Sequence, residues 1–188
     1  MVVDLHKDRA TEVDSPADSL GQEPLHKQAL RVVESIIGDD HLAVSWRLMS
    51  LAEEFHGQGN FARAELLYWI VLAIKERVLG VQHQDVAIVL FSLSSLYEST
   101  GRLQYAETLA AKALDILERA LGPEHPDVAL NMQALADTYV AQGKYQEAEP
   151  LYSRMLAFWE NLLGAEHPAL VARRQRYEEL VNKLGAGG

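Results

Sequence analysis

Apolar residues in this chain recur at intervals of three and four, the spacing of one helix face and not of a strand. Three stretches show it in one frame: Val44, Leu48, Leu51, Ala52 and Phe55; Val86, Leu90, Leu93, Ser94 and Tyr97; Val128, Met132, Leu135, Ala136 and Tyr139. Position by position they lie 42 residues apart. Each pattern predicts a helix, broken four residues past its aromatic by Gly59, Gly101 or Gly143. Glycine there accepts the left-handed conformation that ends a helix. A second helix is predicted to open at Ala64-Glu65, Ala106-Glu107 and Ala148-Glu149, with the glutamates favoured by the dipole of the first turn. Its expected core positions are Leu67, Val71, Ile74 and Val78; Leu109, Ala113, Ile116 and Ala120; Leu151, Met155, Phe158 and Leu162. The leading alanines are expected to meet Ala52, Ser94 and Ala136, so that the two helices of a hairpin approach closely.

The same period sets the linkers. Gly38, Gly80, Gly122 and Gly164 are 42 apart, and His41, His83, His125 and His167 each follow by three. Gly-Pro-Glu-His-Pro-Asp-Val at 122–128 is the fullest linker, with Pro126 suited to the first turn of the next helix. A period of 42 filled with helices predicts stacked antiparallel hairpins. Three 42-residue units span 38–163: 38–79, 80–121 and 122–163. Residues 21–37 read as an unpaired second helix capping the N-terminal end, through Ala29, Val32, Val33, Ile36 and Ile37. Residues 1–20 are rich in Asp, Ser and Pro and are expected to form a flexible arm. Residues 164–184 read as a C-terminal capping helix with Leu170, Tyr177, Val181 and Leu184 facing inward. There Arg174 and Glu178 replace the apolar rows that would meet a further helix, so the array is expected to end at this point. The fold class is all-α, a stack of about eight helices.

The stretches Leu-x-x-Leu-Ala-x-x-Phe at 48–55, Leu-x-x-Leu-Ser-x-x-Tyr at 90–97 and Met-x-x-Leu-Ala-x-x-Tyr at 132–139 carry a family likeness. With the glycines at 59, 101 and 143, the alanines at 64, 106 and 148 and the Gly-x-x-His-Pro-x-Val linker, the chain resembles the tetratricopeptide repeat in its kinesin-light-chain-like form. The likeness covers about 23–184. It implies a right-handed superhelix, an α-solenoid, whose first helices line a concave groove that receives a peptide or protein. The implied groove rows are Trp46, Ile88, Leu130 and Ala172; Met49, Phe91, Gln133 and Gln175; Ser50, Ser92, Ala134 and Arg176; Glu53, Ser95, Asp137 and Glu179. Kinesin-light-chain-like units usually carry paired asparagines before Leu-Ala, where this chain has Met49-Ser50, Phe91-Ser92 and Gln133-Ala134. The lysine and asparagine cluster that clamps a C-terminal carboxylate in heat-shock co-chaperones is missing too. The groove reads as apolar beside an acidic row, which predicts an amphipathic partner with aliphatic anchors and some Lys or Arg.

Composition narrows the partners. The 188 residues carry a formal charge of −10, which disfavours nucleic acid and anionic membrane surfaces. No cysteine is present, so disulfides and thiolate chemistry are excluded, and no apolar run is long enough for membrane insertion. A cytoplasmic protein is expected. Trp69 and Ile70 stand where the other units have Ala111-Lys112 and Ser153-Arg154. On the outer face of a second helix they would mark a contact surface, with a homodimer as its simplest form; packing on a neighbouring helix or on the arm is the other reading.

Candidate chemistry is thin. Equivalent histidines on successive hairpins stand roughly 10 Å apart, as packed helices do, too far to converge on a metal. Their expected role is to hydrogen-bond the linker turn. Glu53, Asp137 and Glu179 form a row and not a catalytic pair. No phosphate loop, His-Glu-x-x-His or nucleophile elbow occurs, so no enzyme, cofactor or metal is expected. The sequence therefore predicts a protein–protein interaction module, with a self-assembling scaffold subunit or a sensor of a short peptide or small ligand as alternatives.

Overall fold

A computed structural model of the chain describes residues 27–29, 31–32 and 41–186. The expected arm at 1–20 lies outside the described residues. So does most of the capping helix at 21–37, of which 27–29 and 31–32 are helical. The described residues from His41 onward form seven α-helices: α1 His41–Gly57, α2 Phe61–Leu79, α3 Gln84–Ser99, α4 Leu103–Leu121, α5 Pro126–Ala141, α6 Tyr145–Leu163 and α7 Val171–Ala186. A 3₁₀ turn, Pro168–Leu170, leads into α7.

Each helix packs on the next, and α3 also touches α5, the first helix of the following unit. This is the contact order of an all-α solenoid of hairpins. Within the hairpins Ala52, Ala64, Ala106, Ala136 and Ala148 are buried. Ser94, which replaces alanine in the second unit, donates its hydroxyl to the Ala106 carbonyl at 2.9 Å. A side chain small enough to permit that approach also satisfies itself there. One continuous core runs from Ala52 to Leu180 through all seven helices.

The linkers behave as local physics requires. His83, His125 and His167 are N-cap residues whose Nδ1 accepts the backbone N–H two residues on, from Asp85, Asp127 and Ala169, at 3.1, 3.2 and 3.2 Å. Each satisfies one of the donors left open at a helix start. Gly80, Gly122 and Gly164 adopt φ of 88, 85 and 85° with ψ of 152, 159 and 144°. That extended, positive-φ region is open in practice to glycine alone.

Three apolar expectations are corrected, the first being Leu51, placed on the inward stripe of α1 but exposed. Val78, Ala120 and Leu162, expected in the core, are exposed. Each stands two residues before a linker glycine, in the last turn of its helix, where the chain leaves the stack. At the C-terminal end Leu170 and Leu180 are buried, whereas Val181 is exposed. The inward stripe of α7 therefore runs through Leu180, which shares the register of the buried Leu96 and Thr138. Arg174 meets Glu160 at 2.9 Å.

Candidate functional site

The first helices present their unshared faces on one side of the stack. Trp46, Ile88 and Leu130, spaced 42 apart, are 72%, 48% and 42% exposed. Between α3 and α5 this side deepens into a cleft of about 400 Å³. Ile88, Phe91, Leu130 and Ala134 give it apolar walls, and Leu117 of α4 enters the lining from behind. Ser95, Gln133, Asp137, Glu98, Asp127 and Asn131 complete the lining.

Seven residues predicted from the groove rows thus meet in one cleft: Ile88, Phe91, Ser95, Leu130, Gln133, Ala134 and Asp137. Ser92 does not line it, and its hydroxyl folds back on the Ile88 carbonyl at 3.1 Å. Trp46, Ser50 and Glu53 are exposed on α1 outside the cleft, while Met49 is half-buried against the core. Gln175, Arg176 and Glu179 are exposed on α7. Of these only Arg176 reaches the cleft, setting one guanidinium nitrogen on both Asp137 oxygens at 2.8 and 2.7 Å.

Sequence reasoning missed Glu98, Leu117, Asp127 and Asn131. A signal existed for three of them. Ile88, Phe91, Ser95 and Glu98 continue one helical stripe by steps of three and four, and Asp127, Leu130 or Asn131, Ala134 and Asp137 form its counterpart on α5. The expected rows ended a turn too early at each end. Leu117 belongs to a second helix, which a reading confined to first helices omits.

The acidic groups of the cleft differ in their partners. Asp137 accepts from the Tyr152 hydroxyl and from Arg176. Burial and the neighbouring Asp137 charge push the Tyr152 phenol above its ordinary value. Glu98 accepts a hydroxyl hydrogen bond from Thr138 and forms no ion pair among the described residues. Burial holds its carboxyl above the usual range against the opposing Thr138 hydrogen bond, and the Asp137 charge adds a smaller push upward. Asn131 is only 6% exposed. Its amide nitrogen donates to the Asp127 carbonyl at 2.9 Å, which fixes the orientation of the group. Asn131 Oδ1 and Gln133 Oε1 then have no donor among the described residues.

The expected outer-face contact is corrected. Trp69 and Ile70 are 5% and 3% exposed. Tyr68 to Leu72 are all buried, and five successive residues at about 100° each go right round a helix. At that level α2 has no solvent face. Trp69 donates its indole N–H to the Tyr97 hydroxyl of α3 at 3.0 Å. Ile70 holds the position of Lys112 and Arg154, which reach the preceding second helix at Glu76 and Glu118, 3.5 and 2.9 Å away. The row faces between units and not outward.

Among the described residues no group of histidines and carboxylates has the geometry of a metal site, and no helix is long and apolar enough to cross a membrane.

Two tetratricopeptide-repeat signatures match the chain, at residues 44–85 and 97–161. No curated protein matches it. Among solved structures it is similar to BtubC (BKLC) from P. vanneervenii, with a TM-score of 0.73 and 19% identity over 85% of this chain. The chain spans 64% of that protein's length. It is also similar to a Podosopora anserina protein described as kinesin light chain with nearly identical TPR-like repeats. The parent form gives a TM-score of 0.65 at 25% identity, covering 86% of this chain and 82% of the other. A variant of it gives 0.70 at 24%, covering 86% and 76%.

Proposed function

Because this chain belongs to the tetratricopeptide-repeat family, with repeats of the kinesin-light-chain-like kind, we propose that it is a non-catalytic, cytoplasmic interaction module whose α3–α5 cleft receives a segment of a partner protein. The observation that carries this reading is the conjunction in one cleft of exposed aliphatic side chains with carboxylates and unsatisfied acceptors. Residues whose only task is to hold the stack together are buried and paired, as Trp69 and Ser94 are. Ile88 and Leu130 are neither.

The partner segment is amphipathic. Aliphatic anchors fill the space between Phe91 and Leu130, and lysine or arginine answers the acidic rim. A rigid stack suits this task, since a groove already formed loses little entropy on binding. A homo-oligomer held by Trp69 and Ile70 is not supported, since both are buried.

The test is selection of a random 12-residue peptide library against the wild-type chain, with Phe91→Glu as control. Phe91 is half-buried in the cleft wall, so a carboxylate there blocks the anchor position. Enriched peptides should combine aliphatic with basic residues and lose binding to Phe91→Glu. Peptides that are acidic and polar, or that bind the variant equally well, would overturn the reading.

A further inference from the structure

We infer that Glu98, and not the Asp137 beside it, is the specificity-determining anion of this cleft, and that it receives a lysine or arginine side chain of the bound segment. The inference rests on the proposed groove function and names the charge chemistry of the same site.

Asp137 already has its counter-ion, since Arg176 and the Tyr152 hydroxyl occupy its oxygens. A second cation arriving there would have to displace Arg176. Glu98 lines the same cleft and has no cation among the described residues. Its one donor among the described residues is Thr138, whose single hydroxyl proton is contested by the Ala134 carbonyl at 3.0 Å. A half-buried carboxylate with one shared donor is poorly compensated for its loss of water. That arrangement persists at a cost to the fold, which is a mark of groups retained for a ligand.

Asn131 supplies an independent observation. It is more than nine-tenths buried, it lines the cleft, and its Oδ1 has no donor. Gln133 Oε1 on the same helix is in the same condition. Both oxygens are closed to solvent in the empty cleft, so they gain a donor when a bound segment turns these amides toward the opening, whereas the Glu98 carboxylate lacks a cation outright. A polypeptide segment brings both, with N–H groups along its length and an ammonium or guanidinium on its side chains. An acidic segment would supply no cation and would meet Glu98 with like charge. An uncharged lipid tail would supply neither donor nor cation.

The cleft also sets a length. Asp127 and Asp137 are ten residues apart on α5, about 15 Å along a helix. An extended segment covers that in about five residues. The basic residue therefore sits at one end of a short apolar stretch, over the C-terminal end of α3 where Glu98 lies.

The experiment carries the library selection onto three variants. Peptides enriched on wild type should share one fixed Lys or Arg position. Their affinity should fall at least about tenfold on Glu98→Gln, the loss expected when a partly desolvated charge pair is broken. Asp137→Asn should cost much less. Glu98→Gln should not lower the thermal midpoint, whereas a merely structural glutamate would lower it on neutralisation. A wild-type pool without a fixed basic position would overturn the inference. So would peptides that lose binding to Phe91→Glu yet keep it on Glu98→Gln, an outcome that leaves the groove reading standing. Peptides indifferent to Phe91→Glu would remove both.

Discussion

Arg102 places two guanidinium nitrogens on the Glu65 carboxylate, at 3.0 and 2.8 Å, across the boundary between the first and second units. Tyr97 adds its hydroxyl to the same carboxylate at 2.7 Å, and its ring lies 4.2 Å beneath the guanidinium carbon. The same register recurs 42 residues on, where Lys144 meets Glu107 at 2.6 Å. The glutamate that opens each second helix thus fastens its hairpin to the next.

Replacing Arg102 by Met keeps the stem over Tyr97 and removes the charge. Glu65 is then left half-buried with Tyr97 alone, which should cost about 1–2 kcal/mol. Arg102→Lys should cost less, because lysine serves at the equivalent position 144. Urea unfolding of both variants tests this; equal losses would mean that packing on Tyr97, and not charge, matters at the site.

Trp69 is a core residue that joins α2 to α3, so Trp69→Ala should lose about 3–5 kcal/mol. Light scattering of the folded variant should give the wild-type mass. Trp69→Phe isolates the indole N–H and should lose only about 1 kcal/mol. A small loss in Trp69→Ala with a change in mass would restore the surface reading.

Much of this architecture can be read from residue types, because each repeat poses the same local problem and answers it alike. Gly122, His125 and Pro126 need no knowledge of distant chain to specify a helix end, a cap and a helix start. Ala106 announces a close approach by its size alone. Legibility ends where a position's neighbour belongs to another unit. Ile70 looked solvent-facing because a single hairpin has an outer side, and only the stack turns the row it shares with Lys112 and Arg154 away from solvent. Glu98 was missed for a related reason: one helix says which residues share a stripe, but the cleft's length is set by α3 and α5 together.

Gly122 allows backbone strain to be measured without sterics. A Cβ built there meets nothing within 4 Å, yet φ is +85°. Gly122→Ala should therefore lose about 1–3 kcal/mol from backbone conformation alone. His125→Ala, three residues on, should lose about 1 kcal/mol with its cap. Calorimetry should show both losses unchanged by added zinc. A loss in His125→Ala seen only in the presence of metal would assign the histidine a different task.

Two glutamates give the stability opposite dependences on pH. At Glu107 burial pushes the carboxyl up, but the Lys144 ammonium at 2.6 Å and the Gln142 amide at 2.8 Å outweigh it. The folded pKa is lowered from 4.5, so the unfolded chain binds more protons just below that value. Its contribution is complete above pH 4.5 and is lost as the pH falls through the lower folded value. At Glu98 burial and the Asp137 charge raise the folded pKa above 4.5, and the folded chain binds more protons in the window above. Relative stability from Glu98 is present below 4.5 and lost as the pH rises through its folded value. Asp137 on α5 is the charged group facing Glu98, and its Arg176 partner leaves that repulsion only partly screened. Thermal midpoints of wild type, Glu107→Gln and Glu98→Gln from about pH 3 to about pH 8 separate the two. Glu107→Gln should lie below wild type near neutrality and converge on it in acid. Glu98→Gln should lie above wild type near neutrality and also converge in acid. Parallel curves for Glu98→Gln and wild type would mean that its carboxylate is solvated in the empty cleft, and the reason for expecting a cation there would be gone.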